Sequence, residues 1–247
     1  MTRRVVVIGY GMAGARLAED IRRLDPDGAA VELTIVGAEP RPAYNRVLLS
    51  TVLAGHLPVD AVELHSPEWA TKHGVRVRLG TTAVALDRAV RRVLLADGDS
   101  VGYDDVVLAT GAAAWLPPVT GLTGDDGAPA PGVSALRTLA DCERILAAAR
   151  PDTPVAVLGG GLLGVETARG LTGRGCRVTV VHPTPRLLPG RLDPDAAYVL
   201  RRALEDHGIE FRLGAPAAGY APGDGLKLVD GTPVPAGLVV VSAGVRP

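Results

Sequence analysis

Short runs of β-branched and aliphatic residues alternate along the chain with glycine turns and with segments whose apolar residues recur at helical spacing. The first run, Val5 to Ile8, leads directly into Gly9, Tyr10, Gly11, Met12, Ala13 and Gly14. Leu17, Ile21 and Leu24 then fall on one helical face, and Asp25, Pro26, Asp27 and Gly28 end that helix before a second apolar run, Val31 to Val36. Strand, glycine turn, helix and strand make a βαβ unit. The same pattern returns in the second half: Val155 to Leu158, then Gly159, Gly160, Gly161, Leu162, Leu163 and Gly164, then a strand from Arg177 to Val181. The exits match too. Asp97-Gly98 predicts a hairpin ahead of a strand from Val106 to Ala109 that ends in Thr110-Gly111, and Asp230-Gly231 precedes Leu238 to Val241 and Ser242-Ala243-Gly244.

One such glycine turn is weak evidence, because glycines also serve plain turns; two in full βαβ context, with matched exits, are strong. In a dinucleotide site one glycine permits the tight turn, one lets the backbone approach a pyrophosphate and one lets the helix pack on the strand. The phosphates then lie at the helix N-terminus. A carboxylate beyond the end of the second strand can bind the ribose hydroxyls. In the first unit Glu32 sits at the wrong end of its strand, whereas Glu39 follows Val36 on the ligand side and is the expected residue; a plain surface-loop role is its alternative. In the second unit the strand runs into His182, Pro183, Thr184, Pro185 and Arg186 with no carboxylate. NAD is the expected nucleotide there, with NADP left open because a cation near the ribose tolerates a 2′-phosphate.

With 247 residues the chain is long enough for two domains, placed at 1–120 and 121–247, and Thr123 to Gly132, rich in Gly, Asp, Ala and Pro, reads as a connection near their boundary. Aromatics are only 3%, so the cores must be built from Val, Leu, Ile and Ala, which suits α/β layers. A formal net charge of −1 leaves no basic field for nucleic acid. Every apolar run is broken well short of a membrane span, and MTRRVVVIG reads as a buried first strand rather than a secretion signal. Cys142 and Cys176 stand far apart in no paired pattern, which fits a reducing cytoplasm and excludes a cysteine metal site. Five scattered histidines lack ligand spacing, and no metal is expected. Trp69 and Trp115 read as packing residues, although Trp115 follows Thr110-Gly111 closely enough to lie over a cofactor.

Two dinucleotide folds in one chain, the first closed by Ala109-Thr110-Gly111, resemble the flavoproteins with two dinucleotide-binding domains, and the resemblance spans essentially the whole chain. The stretches GAEPRPAYNRVLLSTVLAG (37–55) and GGGLLGVETARGLTGRGCRVTVVHPTPRLLPGRLD (159–193) are similar to the N-terminal module of assimilatory NAD(P)H nitrite reductase large subunits; ferredoxin and rubredoxin reductases are close cousins. The resemblance implies FAD in the first site, NAD(P)H in the second and hydride transfer between them. It implies cofactor contacts at Gly9, Gly11, Met12, Ala13, Gly14, Glu39, Arg46, Ala83, Ala109, Thr110 and Gly111, and at Gly159, Gly161, Leu162, Leu163, Gly164, Glu166, His182 and Gly244. It places the loop 41–51 beside the flavin, where the family often carries a lysine and this chain has Thr51, so that either Arg46 substitutes as the cation or the flavin is tuned differently; Glu166 matches a glutamate near the nicotinamide. Cys142 and Cys176 match neither the spacing nor the position of the redox pair in the disulfide-reducing branch.

The expected architecture is therefore α/β, with two Rossmann-like domains, the FAD domain lacking its C-terminal return segment. The expected activity is an FAD-dependent NAD(P)H oxidoreductase that passes electrons to a separate acceptor, a sirohaem or iron-sulfur module, a ferredoxin or a rubredoxin. A nucleotide-binding fragment without turnover is the alternative.

Overall fold

The computed structural model describes residues 2–247. Two compact units are present, one formed by 2–46 and 60–112 with Pro247, the other by 47–59 and 113–246. The segment 47–59 thus belongs to the second unit although it lies early in the chain.

The first unit is built on β1 (Arg3–Ile8), α1 (Met12–Leu24) and β2 (Val31–Gly37), followed by α3 (Trp69–Lys72), β3 (Arg76–Leu79), β4 (Ala83–Asp87), β5 (Arg92–Leu95), β6 (Ser100–Gly102) and β7 (Asp105–Leu108). A parallel sheet runs in the order β3-β2-β1-β7, and β4, β5 and β6 form a separate antiparallel sheet. Alternation along β1 decides the packing, since successive side chains point to opposite faces. Val7 joins Ala18 of α1, Leu33, Ile35 and Val75 on one face. Val6 joins Val36, Val93, Leu95 and Tyr103 on the other, against the antiparallel sheet.

The second unit contains α2 (Leu49–Leu53), β8 (Ala113–Ala114), β9 (Val133–Ala135), α4 (Leu139–Ala148), β10 (Pro154–Leu158), α5 (Leu162–Gly173), β11 (Arg177–His182), α6 (Pro194–Glu205), β12 (Glu210–Leu213), β13 (Ala217–Ala221), β14 (Gly225–Leu228), β15 (Pro233–Val234), β16 (Leu238–Val241) and β17 (Val245–Arg246). Its parallel sheet, β12-β11-β10-β16-β9, repeats the order of the first with one more edge strand, and β13, β14 and β15 again supply an antiparallel layer. Ala156, Leu158, Val239 and Val241 pack against Tyr220, Leu226 and Leu228 of that layer. The repeat seen in the sequence is a repeat of whole folds. Among the described residues no helix is long and apolar enough to cross a membrane.

Candidate functional site

In each unit the glycine turn follows the central strand, at the carboxyl edge where ligands of such sheets lie. The three glycines divide into two kinds. A Cβ on Gly9 would stand 2.1 Å from the Ala109 carbonyl oxygen, and one on Gly14 would stand 2.1 Å from the Gly9 oxygen. A Cβ on Gly159 would stand 2.5 Å from the Ser242 oxygen, and one on Gly164 would stand 2.0 Å from the Gly159 oxygen. These four glycines are demanded by the fold, and Gly9 and Gly159 also take φ of 112° and 133°. The middle glycines are different. Gly11 has an ordinary φ of −92° and Gly161 one of −78°. Around Gly161 no atom lies within 4 Å of an added Cβ, and at Gly11 the nearest is Arg46 Nε at 3.9 Å. Nothing in the protein itself requires glycine there; each leaves an open cradle beside bare backbone.

Helix starts reinforce this. Gly11 and Gly161 are the N-caps of α1 and α5 and offer no side-chain acceptor. By contrast Thr138 forms a capping box on α4, and Asp193 accepts from Ala196 N–H on α6. The first N–H groups of α1 and α5 therefore lack a side-chain cap and face the cradle, the arrangement that receives a phosphate. Met12 and Leu162, the residues just inside, are 38% and 51% exposed.

Beside the first turn the structure brings together Glu39, Tyr44 and Arg46. Tyr44 Oη donates to Glu39 Oε2 at 2.6 Å, and Arg46 pairs with Glu39 Oε1 while its guanidinium lies 5.0 Å from the centre of the Tyr44 ring. Arg46, expected as a cation for the flavin ring, is thus held by Glu39 and next to Gly11. Thr110 and Gly111 are exposed, Ala109 packs against Gly9, and Ala83 packs into the cluster containing Val6 and Val36. The Tyr10 Oη lies 2.6 Å from His65 Nδ1, with His65 Nε2 2.9 Å from Glu19. Burial, with the nearby Glu19 carboxylate, pushes the Tyr10 phenol up to about 12.

The second turn opens on a cavity of about 510 Å³ whose wall includes Gly159, Gly161, Leu162, His182 and Gly244. His182 ends β11 with its ring over Gly160, where a Cβ would meet it at 2.7 Å. Both ring nitrogens and Ser242 Oγ are buried without a hydrogen-bond partner, and burial pushes the His182 pKa down. Unpartnered polar atoms in a cavity wall are what a polar ligand would satisfy. Arg191 and Trp115 also line it, whereas Arg186 is exposed outside it. Glu166 and Leu163 are not in this wall. Glu166 lines a separate groove of about 420 Å³, where Ser50 Oγ donates to it at 2.8 Å. Ser242, Arg191 and Ser50 were not singled out from the sequence; the matched exits, Ala109-Thr110-Gly111 and Ser242-Ala243-Gly244, were the available signal for Ser242.

The cysteines are not a redox pair. Cys142 and Cys176 are both free and buried; burial pushes the Cys142 thiol up to about 11 and raises Cys176 as well. A thiol held in its protonated form is a poor nucleophile.

The description of the pyridine nucleotide-disulphide oxidoreductase family matches residues 3–247. The chain belongs to that family. The family's members are FAD- and NAD(P)H-dependent flavoprotein reductases. A nitrite reductase [NAD(P)H] of Bacillus subtilis is 36% identical over 99% of this chain and 30% of its own length. A probable ferredoxin reductase of Castellaniella defragrans is 35% identical over 99% of this chain and 59% of its own. Among solved structures, the reductase fold in a covalent putidaredoxin reductase–putidaredoxin complex superposes with a TM-score of 0.90 at 28% identity, over 99% of this chain and 59% of that one. The chain spans under two thirds of each of these relatives. Within the family its buried, separated cysteines leave the disulfide part of the name without a counterpart here.

Proposed function

We propose that this chain is the electron-collecting module of a flavoprotein reductase, with FAD on the first glycine turn, NAD(P)H on the second and a separate acceptor downstream. The repeated open cradle carries the reading: Gly11 and Gly161 each leave space beside a helix start without a side-chain cap, where the protein has no use for glycine but a pyrophosphate does.

Gly9, Gly11, Met12, Ala13 and Gly14 would hold the FAD pyrophosphate against the start of α1, with Ala109, Thr110, Gly111 and Ala83 completing the site. Arg46, held by Glu39 beside Gly11, is placed for a phosphate on that turn. Glu39 keeps lone pairs free for ribose hydroxyls, because Tyr44 and Arg46 each take one oxygen. Gly159, Gly161, Leu162, Leu163 and Gly164 would hold NAD(P)H, with His182 at its ribose and Gly244 at the far wall. When bound, FAD would supply the chemistry, accepting a hydride from the nicotinamide and releasing its two electrons onward. Glu166 is the residue assigned to the charge that develops on the nicotinamide. The acceptor is a ferredoxin or a rubredoxin, as the names of reductase relatives suggest, or a sirohaem or iron-sulfur module.

An absorption spectrum of the purified chain, repeated after anaerobic addition of NADH and of NADPH, tests this. A flavin band that bleaches with either nucleotide is the expected result. A protein that takes up no FAD on incubation and binds neither nucleotide would overturn it.

A further inference from the structure

The two glycine turns differ in the residue after their first glycine. The second has Gly160 there, where an added Cβ would meet the His182 ring, and the first has Tyr10. Room is made for that tyrosine: a Cβ on Gly37, at the end of β2, would stand 3.1 Å from the Tyr10 Cβ. The Tyr10 ring packs against the cluster of Val7, Ala18, Leu33 and Ile35, and its hydroxyl lies 2.6 Å from His65 Nδ1.

His65 is buried, and both of its ring nitrogens are engaged. Nε2 faces the Glu19 carboxylate of α1 at 2.9 Å, and a carboxylate only accepts, so Nε2 carries the proton. In the neutral ring Nδ1 is then the acceptor, and Tyr10 donates to it; burial keeps that phenol protonated well above neutrality. The imidazole lies flat on Trp69 of α3, with ring centres 3.8 Å apart and planes 7° apart, and Trp69 stacks in turn on His73 at 4.8 Å. The backbone just before His65 is fixed as well. Leu64 N–H donates to the Ala43 carbonyl at 2.8 Å, and Asn45 N–H donates to the Val62 carbonyl at 2.7 Å. His65 therefore joins the glycine turn, through Tyr10, to the loop that holds Tyr44 and Arg46 on Glu39.

We infer that His65 is a positioning residue for the FAD site, holding Tyr10 of the glycine turn in register with the loop 43–46. This rests on the proposed seat of FAD at the first turn and goes beyond it by naming what sets the turn's shape. A Gly-Tyr-Gly segment has wide backbone freedom, and fixing it before the ligand arrives removes that cost from binding. A buried network with every donor and acceptor satisfied fixes one arrangement, whereas apolar contact alone would let the tyrosine slide.

The experiment measures FAD affinity of the flavin-free chain by equilibrium dialysis, with a melting curve of each preparation. Tyr10→Phe keeps the ring in its cluster and removes only the hydroxyl, whereas His65→Leu removes both hydrogen bonds. Each is expected to weaken FAD about tenfold, and the double variant no further than His65→Leu alone, because both changes break the same link. His65→Asn places an oxygen near the Nδ1 position and should recover most of the affinity although it gives up Glu19. Tyr10→Phe should melt close to the parent. FAD affinity kept in Tyr10→Phe and His65→Leu, whether or not they melt lower, overturns the positioning role while the FAD site stands. Losses that add in the double variant, or His65→Asn no better than His65→Leu, overturn it too. A parent chain that takes up no FAD overturns the FAD site itself.

Discussion

Ser50 Oγ donates a 2.8 Å hydrogen bond to Glu166 Oε2, tying α2 to α5 within the second unit. Two roles for Glu166 follow, and one pair of substitutions separates them. As the nicotinamide gives up hydride it becomes a cation, and a fixed carboxylate nearby lowers the energy of that charge separation. Glu166→Gln keeps an acceptor for Ser50 but loses the charge. It is expected to slow flavin bleaching by NAD(P)H about tenfold, one interaction of roughly 1.4 kcal/mol, with no change in melting temperature. Stopped-flow absorbance measures this. A normal rate in Glu166→Gln with a slow one in Glu166→Ala would instead make Glu166 a tether for α2.

The glycines should split into two classes on substitution. Gly14→Val drives a side chain into the Gly9 carbonyl, 2.1 Å from the added Cβ, and Gly164→Val meets the equivalent oxygen at 2.0 Å. Both should lose stability by about 3 kcal/mol or more, because the obstacle is backbone. Gly11→Val and Gly161→Val place a side chain in open space at an ordinary φ, so their melting curves should match the parent. Gly11→Val should lose flavin absorbance, and Gly161→Val should keep flavin but lose bleaching by nucleotide. Circular dichroism melts alongside visible spectra read both properties.

That split marks how far the sequence could be read. The repeated units, their parallel strands and both hairpins were legible because continuous apolar runs and glycine turns are local signals. Asp193 followed by Pro194 is an equally local start signal, and Asp193 caps α6. What crowds Gly9 and Gly159 was not legible, since Ala109 and Ser242, the residues they meet, lie far along the chain. The pairing of Arg46 with Glu39 was hidden for a related reason. Both residues were named separately for a cofactor, but only the folded loop 39–46 shows that each satisfies the other. Glu166 and His182 likewise read as one site in sequence, yet they line different cavities.

His182 should govern the choice between nucleotides. Burial lowers its pKa, so at neutral pH the ring is uncharged and offers one donor and one acceptor, a match for a ribose diol. With Arg191 in the same wall, and no carboxylate among its described residues, a 2′-phosphate meets no repulsion. Both NADH and NADPH should therefore bind. Glu in place of His182 would hydrogen-bond the diol and repel the phosphate, costing NADPH about a hundredfold in affinity and NADH little. Fluorescence titration of the two nucleotides compares them directly; equal losses for both would remove His182 from the ribose.

Acid stability should trace to Asp104. Its carboxylate accepts from the Arg4 guanidinium at 2.9 Å and from the Arg4 backbone N–H at 2.8 Å, fastening the chain before β7 to β1. The guanidinium, with the backbone bond second, holds its pKa down to about 2 against an ordinary 3.8. A carboxyl whose folded pKa is depressed stabilises the fold in full above its unfolded pKa and loses that contribution as pH falls through the folded value. The contribution is therefore present from neutrality down to the ordinary carboxylate range and vanishes between there and about pH 2. Asp104→Asn keeps an oxygen for the backbone N–H but not the ion pair. Its melting temperature should fall below the parent's at about pH 6, and the gap should close towards pH 2, because only the parent has a charge left to lose. The pair is solvent-exposed, so added salt should narrow the gap at neutral pH as well. A gap that persists at pH 2 would mean that the aspartate acts through packing or the backbone bond, not through its charge.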